Sequence, residues 1–320
     1  MLFYVFAVSI SRCRRDFEAY LPYVNIIAKR GVVMNDMSIF TEIEIRRNNF
    51  TNVENKIAAQ VLENPKEILN ISISDFAAKC DVSDASVFRF CKTIGYKGYQ
   101  DFKMAIVRGL SERGEGKELL ISNELSAKDS FSEILDALLR NNISGLNETR
   151  KMVDIHLIEA VVDRMAEAKT ILFSGVGSSL LVAEEGYSRF IRITPKVKCP
   201  LDAHHLAMEA SLLTEKDVAI IISFSGSTKD SVECAALAKA AGAYVVILTH
   251  YVKSPLAQYA DAILVCSSVD SGPLQGGSLT AQISLLYLLD ALYLLYFSKQ
   301  YPTAAENKRI TSNAIIEKMF

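Results

Sequence analysis

The sequence predicts an all-α helix-turn-helix domain followed by an α/β doubly wound parallel sheet. Three observations carry this. Helical apolar spacing governs residues 52–94, and short apolar runs alternate with helical patterns from 170 to 266. Two of those runs, Thr170-Ile-Leu-Phe-Ser-Gly-Val-Gly-Ser-Ser179 and Asp217-Val-Ala-Ile-Ile-Ile-Ser-Phe-Ser-Gly-Ser-Thr228, end in small, hydroxyl-rich residues. With 320 residues, half of them hydrophobic, the chain can build two cores. A net charge of −2 and a pI near 6.2 exclude a broad non-specific polyanion binder, so any nucleic-acid contact must come from a local patch. Cys13, Cys80, Cys91, Cys199, Cys234 and Cys266 show no C-x-x-C spacing and read as small buried hydrophobes of a reducing compartment; no metal site or cofactor is expected.

Residues 1–33 open on ten apolar-rich residues, but no basic residue precedes them and Arg12, Arg14 and Arg15 follow, the wrong order for secretion. Lys29-Arg30-Gly31-Val32-Val33 can be encoded by a purine-rich ribosome-binding sequence. Translation is therefore expected to start at Met34, with 1–33 an untranslated or disordered leader.

Val53, Ile57, Ala58, Val61 and Leu62 follow helical spacing until Asn64-Pro65 ends the helix. Residues 72–95 then read as a short helix, a tight turn at Asp81 to Ser83 and a second helix closed by Gly95, the layout of a helix-turn-helix. Ala77 and Ala78 permit close packing, and Val82, Val87, Phe90 and Ile94 supply the core. Ser83, Asp84, Ser86, Arg89 and Lys92 are left on the exposed face. A small helical bundle with a polar face fits the same periodicity, and charge helps to choose. Basic and acidic residues balance over 34–113 at eleven each, but from Ala85 to Arg113 six basic residues, including Lys97 and Lys103, face only Asp101 and Glu112. DNA is the expected partner of that face, with Ser83, Asp84, Ser86, Arg89, Lys92 and Lys97 as its contacts.

Residues 111–130 are polar and glycine-containing, the expected linker between a DNA-binding domain at 34–110 and a second domain at 131–320. Phe131, Ile134, Leu135, Leu138 and Leu139 have helical spacing, as does Ile158 to Met165. Strands are expected at 170–174, 196–199, 218–223, 244–249 and 262–266, with helices at 178–192 and 228–241. Leu279 to Phe297 is long and apolar, but Gln282 and Asp290 interrupt it, so it is expected as a buried or dimer-facing helix with no membrane partner.

In a parallel sheet buried on both faces, loops leaving the C-terminal strand ends carry ligand sites. Gly175, Gly177 and Gly226 allow close backbone approach, while Ser178, Ser179, Ser223, Ser225, Ser227 and Thr228 offer hydroxyls beside the N–H groups of a helix start. The matching guest is an anion, with phosphate the expected one. Turn and N-cap chemistry accounts for either loop alone; two such loops about fifty residues apart ask for more. Neither loop matches a dinucleotide fingerprint or a P-loop.

Gly-Val-Gly-Ser-Ser at 175–179 and Ser-Phe-Ser-Gly-Ser-Thr at 223–228 resemble the paired phosphosugar loops of SIS (sugar isomerase) domains. Ala-Ser-Val-Phe-Arg-Phe-Cys-Lys-Thr-Ile-Gly-Tyr-Lys-Gly-Tyr-Gln-Asp-Phe-Lys at 85–103 resembles the N-terminal domain of RpiR/MurR-type transcription regulators, whose second half is an SIS domain. The resemblance implies a five-stranded parallel sheet, a sugar phosphate on Gly177, Ser178, Ser179, Ser223, Ser225, Gly226, Ser227 and Thr228, and His204 of an Asp202-x-His204 element near the ligand. Gln275 to Ser278 is a candidate closing segment.

SIS domains serve enzymes and sensors alike, so fold alone does not decide catalysis. Base candidates for an isomerase are Glu184, Glu185, His204, His205, Glu209 and His250; each also reads as a helix-surface charge or a loop histidine. The expected function is a cytoplasmic regulator, dimeric or tetrameric, that binds a pseudo-palindromic operator under control of a sugar phosphate. An SIS-type isomerase or lyase with an accessory N-terminal domain, and a phosphosugar-binding adaptor, remain alternatives.

Overall fold

The computed structural model describes residues 38–112, 130–268, 279–316 and 318. The expectations for the leader, for Met34, for most of the linker and for Gln275 to Ser278 lie outside them.

The first region is helical: α1 (Ile39–Arg46), α2 (Asn52–Glu63), α3 (Pro65–Ile68), α4 (Ile73–Lys79), α5 (Asp84–Thr93) and α6 (Tyr99–Glu112). Thr51 and Glu54 form a reciprocal capping box that starts α2. Pro65, expected to end that helix, also begins the next, because a missing N–H costs nothing at a helix's first position. Ser72 caps α4 and Ser83 caps α5. Between them Asp81 takes a left-handed φ of 52°, tolerable for a short polar side chain, and its carboxylate meets Lys56 Nζ at 2.7 Å. Gly95, at φ 96°, lets the Tyr96 N–H turn back onto the Cys91 carbonyl and closes α5. Phe40, Phe76, Phe90 and Phe102 are fully buried, with Phe90 edge-on to Phe50 and Phe102 at 5.3 and 5.9 Å.

The second region begins with α7 (Phe131–Met152) and α8 (Ile155–Glu167). Then come β1 (Ile171–Gly175), α9 (Ser178–Phe190), β2 (Val197–Lys198), α10 (Ala203–Ser211), β3 (Val218–Ile222), α11 (Lys229–Ala240), β4 (Tyr244–Thr249) and β5 (Ala262–Val265). The helices α12 (Leu279–Lys299) and α13 (Tyr301–Ile316) follow. The five strands are all parallel, in the order β2-β1-β3-β4-β5. β1 and β3 are buried at every position, as their unbroken apolar sequences require.

Two apolar helices end in different surroundings, α12 on the buried side of its expectation as a buried or dimer-facing helix. By length and composition α12 could cross a membrane, yet Leu285, Leu288, Leu289, Leu292 and Tyr296 lie in the same core as the sheet. One face of it is therefore already used within the chain, while Leu279, Leu294 and Leu295 stay exposed. Conversely, the apolar spacing of α7 does not mark a buried face: Phe131, Leu135, Leu138, Leu139 and Ile143 are exposed, Phe131 at 88%. Periodicity identified the helix, but periodicity cannot say whether a stripe faces its own core or something else.

Candidate functional site

The strand order makes β1 the point where the winding reverses, with β2 on one side and β3 on the other. In such sheets the crevice beyond the C-terminal ends of the strands at that reversal receives ligands. The two hydroxyl-rich loops leave β1 and β3 at this point and lead into α9 and α11.

Six described helices have an N-cap side chain that accepts a backbone N–H: Thr51, Ser72, Ser83, Ser130, Asp154 and Asp202. The two at the crevice lack one. The N-cap of α9 is Gly177 and that of α11 is Thr228, whose hydroxyl makes no cap bond; α1 and the single-turn α3 share this feature. Uncapped helix starts beside hydroxyls offer the positive end of the helix dipole to an external anion.

The loops differ in their surroundings. Gly177 has φ 61°, and nothing lies within 4 Å of where its Cβ would stand. Ser178 is exposed and Ser179 half-buried. In the β3 loop Ser223 is buried and its N–H donates to the Leu248 carbonyl at 3.0 Å. The Gly226 N–H donates to the Ser223 carbonyl at 3.2 Å, the Ser227 N–H to Ser225 Oγ at 3.2 Å, and Ser227 Oγ to the Ser225 carbonyl at 3.1 Å. Gly226 also has φ 61°, and a Cβ there would collide with Ser254. Ser225, Ser227 and Thr228 are half-buried.

The Asp202-x-His204 element has a local structural role: Asp202 accepts the His204 and His205 N–H groups at 2.9 and 3.1 Å and caps α10. These bonds, first that from His205, hold its carboxyl below the usual range. Both histidine rings are exposed. Of the other base candidates, Glu185 is engaged by Arg189 at 2.8 Å and Glu209 lies 3.4 Å from Lys198. Glu184 and Glu209 line a surface cavity of about 540 Å³ with Tyr187, Lys198, Cys199 and Leu201. His250 stacks on Phe224 at 5.1 Å with Nδ1 2.8 Å from the Cys266 carbonyl, and burial pushes its pKa down, favouring the neutral ring. Burial pushes the Cys234 thiol up to about 11 and Cys266 to about 12, leaving both protonated and inert. Among the described residues no cluster of His, Cys, Asp or Glu could hold a metal ion.

The second surface is the outer face of α5. Arg89 and Lys92 stand exposed one turn apart, and Lys97 is exposed just beyond. Ser83 caps the helix through the Ser86 N–H; its hydroxyl lies 2.9 Å from Ser86 Oγ, which Arg89 reaches at 3.3 Å. Asp84 is occupied internally, accepting the Ser74 hydroxyl and joining α5 to α4. Lys103, counted above in the basic excess, is removed from this surface. It is 2% exposed and donates to the carbonyls of Leu69 and Ile71 at 3.0 and 2.6 Å. Sequence reasoning missed Phe88: it is exposed between these groups, with Lys92 Nζ 5.5 Å from its ring centre. The signal was present in an aromatic at 88 that the core spacing of 87, 90 and 94 does not require.

Two family models match. Residues 37–113 match the helix-turn-helix domain of the rpiR family, and 164–295 match the SIS domain. An HTH-type transcriptional regulator of Haemophilus influenzae is 33% identical over 291 residues, covering 91% of this chain and 99% of its own length. The chain belongs to the rpiR family of helix-turn-helix transcriptional regulators. Another HTH-type regulator, from Caldanaerobacter subterraneus, is 32% identical to this rpiR-family chain, covering 83% of it and 93% of the relative. Among solved structures, the Vibrio vulnificus NanR protein complexed with ManNAc-6P superposes with a TM-score of 0.73 at 30% identity, covering 88% of this chain and 98% of NanR. The sugar isomerase domain of an RpiR transcription factor from Sphaerobacter thermophilus, at 23% identity and a TM-score of 0.51, covers 57% of this chain and 99% of that one. At that identity it shows the fold alone.

Proposed function

We propose that this rpiR-family regulator binds a sugar phosphate between the 175–179 and 223–228 loops and that the bound ligand sets the operator affinity of α5. The carrying observation is the pair of uncapped helix starts, α9 and α11, opening beside serine and threonine hydroxyls at the sheet's reversal point. Two helix termini, several hydroxyls and close-approach glycines suit a phosphate dianion, and the bonds within 225–227 hold that loop in shape for it. NanR, similar over nearly its whole length, was solved with ManNAc-6P, which makes that compound the first effector to try. Gly177, Ser178, Ser179, Ser223, Ser225, Gly226, Ser227, Thr228 and His204 are the proposed ligand groups; the buried Ser223, its N–H bonded to the Leu248 carbonyl and its carbonyl to the Gly226 N–H, serves mainly to shape the loop. Ser83, Ser86, Arg89, Lys92, Lys97 and Phe88 are the proposed DNA contacts, with Asp84 orienting α5. The reading divides the chain into a DNA-binding unit at 34–110, a linker at 111–130 and an effector unit at 131–320, acting in the cytoplasm without catalysis.

A second copy is proposed on the exposed apolar face of α7, where Phe131, Leu135 and Leu139 stand uncovered, whereas one face of α12 is packed on the sheet. Two helix-turn-helix heads related by a two-fold would read a pseudo-palindrome. Leu135→Asp should then give a monomer in sedimentation, and an unchanged mass would refute this interface. For the function, titration of the chain's own promoter fragment with and without a panel of sugar phosphates is decisive. An affinity change with intact sugar phosphate recovered supports the sensor; turnover of the compound would put the isomerase reading first.

A further inference from the structure

The loop that follows β4 touches both regions of the molecule. At one side it is fastened to the serine loop. Thr249 Oγ1 and the His250 N–H donate to the Phe224 carbonyl at 3.1 and 3.2 Å, and the Leu256 N–H donates to the Gly226 carbonyl at 2.9 Å. His250 stacks on Phe224, and the Tyr251 ring meets both edge-on, at 4.7 Å from His250 and 6.0 Å from Phe224. At the other side the loop reaches the helical region. The Tyr251 ring centre lies 5.8 Å from the Lys103 ammonium of α6, and Lys253 Nζ stands 3.9 Å from Asp75 of α4.

Lys103 is an unusual receiver for such a contact. Its ammonium is held by the Leu69 and Ile71 carbonyls, in the turn between α3 and α4, and lies 4.9 Å from the Tyr99 ring centre. A buried ammonium is tolerated only while its surroundings compensate for lost water. Of the two carbonyls and two rings that do so, only Tyr251 comes from the α/β region. The turn that Lys103 holds leads straight into Ser72, the cap of α4, and α4 is joined to α5 by the Ser74–Asp84 bond. A continuous set of contacts thus runs from Gly226 to the start of the DNA-reading helix. The exposed Lys253–Asp75 pair, long and solvent-screened, adds little to it.

We propose that Tyr251 is the positioning residue of the regulatory linkage: held by Phe224 and His250 and resting on Lys103, its ring passes a displacement of the 223–228 loop to the α3–α4 turn of the helix-turn-helix. The linkage rests on the assignment of 223–228 as the anion loop. An anion pulling the Ser225 and Thr228 hydroxyls shifts Phe224, to which the Thr249–His250 segment is bonded. The Tyr251 ring then sits on or off a cation whose burial depends on it. These two arrangements differ in free energy, the requirement for any ligand to shift a population.

Hydrogen exchange on the full chain tests this. Wild type, Tyr251→Phe and Tyr251→Leu are compared with and without two probes, inorganic phosphate and ManNAc-6P. At least one probe should protect 223–228 in all three proteins. In wild type and Tyr251→Phe, exchange at 69–76 and 99–106 should also change by about fivefold or more; in Tyr251→Leu that distant change should vanish while protection of 223–228 remains. A distant change that survives in Tyr251→Leu, or that is missing in wild type with 223–228 protected, overturns the linkage and leaves the anion site standing. Protection of 223–228 by neither probe counts against the anion assignment, and a ligand-free arm then decides the linkage. Gly226→Ala displaces the same loop by collision with Ser254. Its effect on exchange at 69–76 and 99–106 should be lost in the Gly226→Ala/Tyr251→Leu double variant, and an undiminished effect there refutes the role of Tyr251.

Discussion

In the α/β region the candidate groups are loop hydroxyls and backbone amides at strand ends, while in the helical region they are side chains standing on the outer face of α5. The first kind of site is a consequence of topology: once β1 and β3 pair in parallel, their loops and helix starts must converge. The second depends on individual residues, because a helix face carries no ligand-binding geometry beyond what its side chains supply. Single substitutions should therefore be graded in the serine loops and sharper in the helical region.

The largest expected effect separates the two cores. Phe90 is fully buried between Phe50 and Phe102, so Phe90→Ala should cost about 3–5 kcal/mol, a large share of a small domain's stability. Calorimetry should show an early transition for the helical region while the sheet's far-UV signal persists to the wild-type temperature. One cooperative transition, shifted as a whole, would break the comparison by showing that the regions melt together.

Next comes pH, which distinguishes the regions through Lys103. Burial lowers its pKa from the ordinary 10.5 to about 8. Between those values the unfolded chain holds the proton that the folded chain has released, so this group makes stability rise with pH through that window, by up to about 3 kcal/mol. Below pH 8 both states are protonated and the burial cost is constant. Cys80 and Cys91, pushed up to about 11 and 12, act oppositely, since folded thiols keep protons that unfolded ones lose. The difference between wild-type and Lys103→Met denaturation profiles isolates the lysine; parallel profiles from pH 7 to 10 would contradict it.

Within the DNA face, Arg89→Ala should lose about 1–3 kcal/mol of operator binding and relax base preference at one position, whereas Lys97→Ala should weaken all sequences and lower the salt slope by roughly one. Phe88→Ala should lose its preference for a thymine methyl, read by replacing thymine with uracil along the site. Unchanged operator affinity in Arg89→Ala would mean that another face reads the DNA. Smallest is Ser225→Ala, where one hydroxyl among many donors is lost: about 1 kcal/mol of effector affinity, measured by calorimetric titration, with operator binding by the free protein unchanged. A loss a hundredfold in Kd would overturn the idea of a shared, backbone-dominated site.

Legibility follows the same division. Both hydroxyl loops, β1, β3, β4 and β5 and the turn at Asp81 were readable because each leaves a local mark: continuous apolar runs, small residues at their ends, a polar residue able to take positive φ; β2, with only Val197 buried, leaves a fainter one. Lys103 was counted with the exposed basic residues and Phe88 was passed over. A lysine followed by an apolar run looks solvent-facing until α6 is docked, and nothing local assigns a face to a phenylalanine beside the core positions until α5 is.

The sequence by itself determined the two kinds of architecture, their order, the residues of the serine loops and the helix that bears Arg89 and Lys92. These follow from local pattern, where periodicity and turn chemistry act over a few residues. Only the tertiary structure decided that α12 packs on the sheet and the α7 stripe is exposed, and that Tyr251 rests on Lys103 across the two regions. Each of those depends on which surfaces meet at long sequence separation, and burial, unlike periodicity, is a property of the whole packed chain.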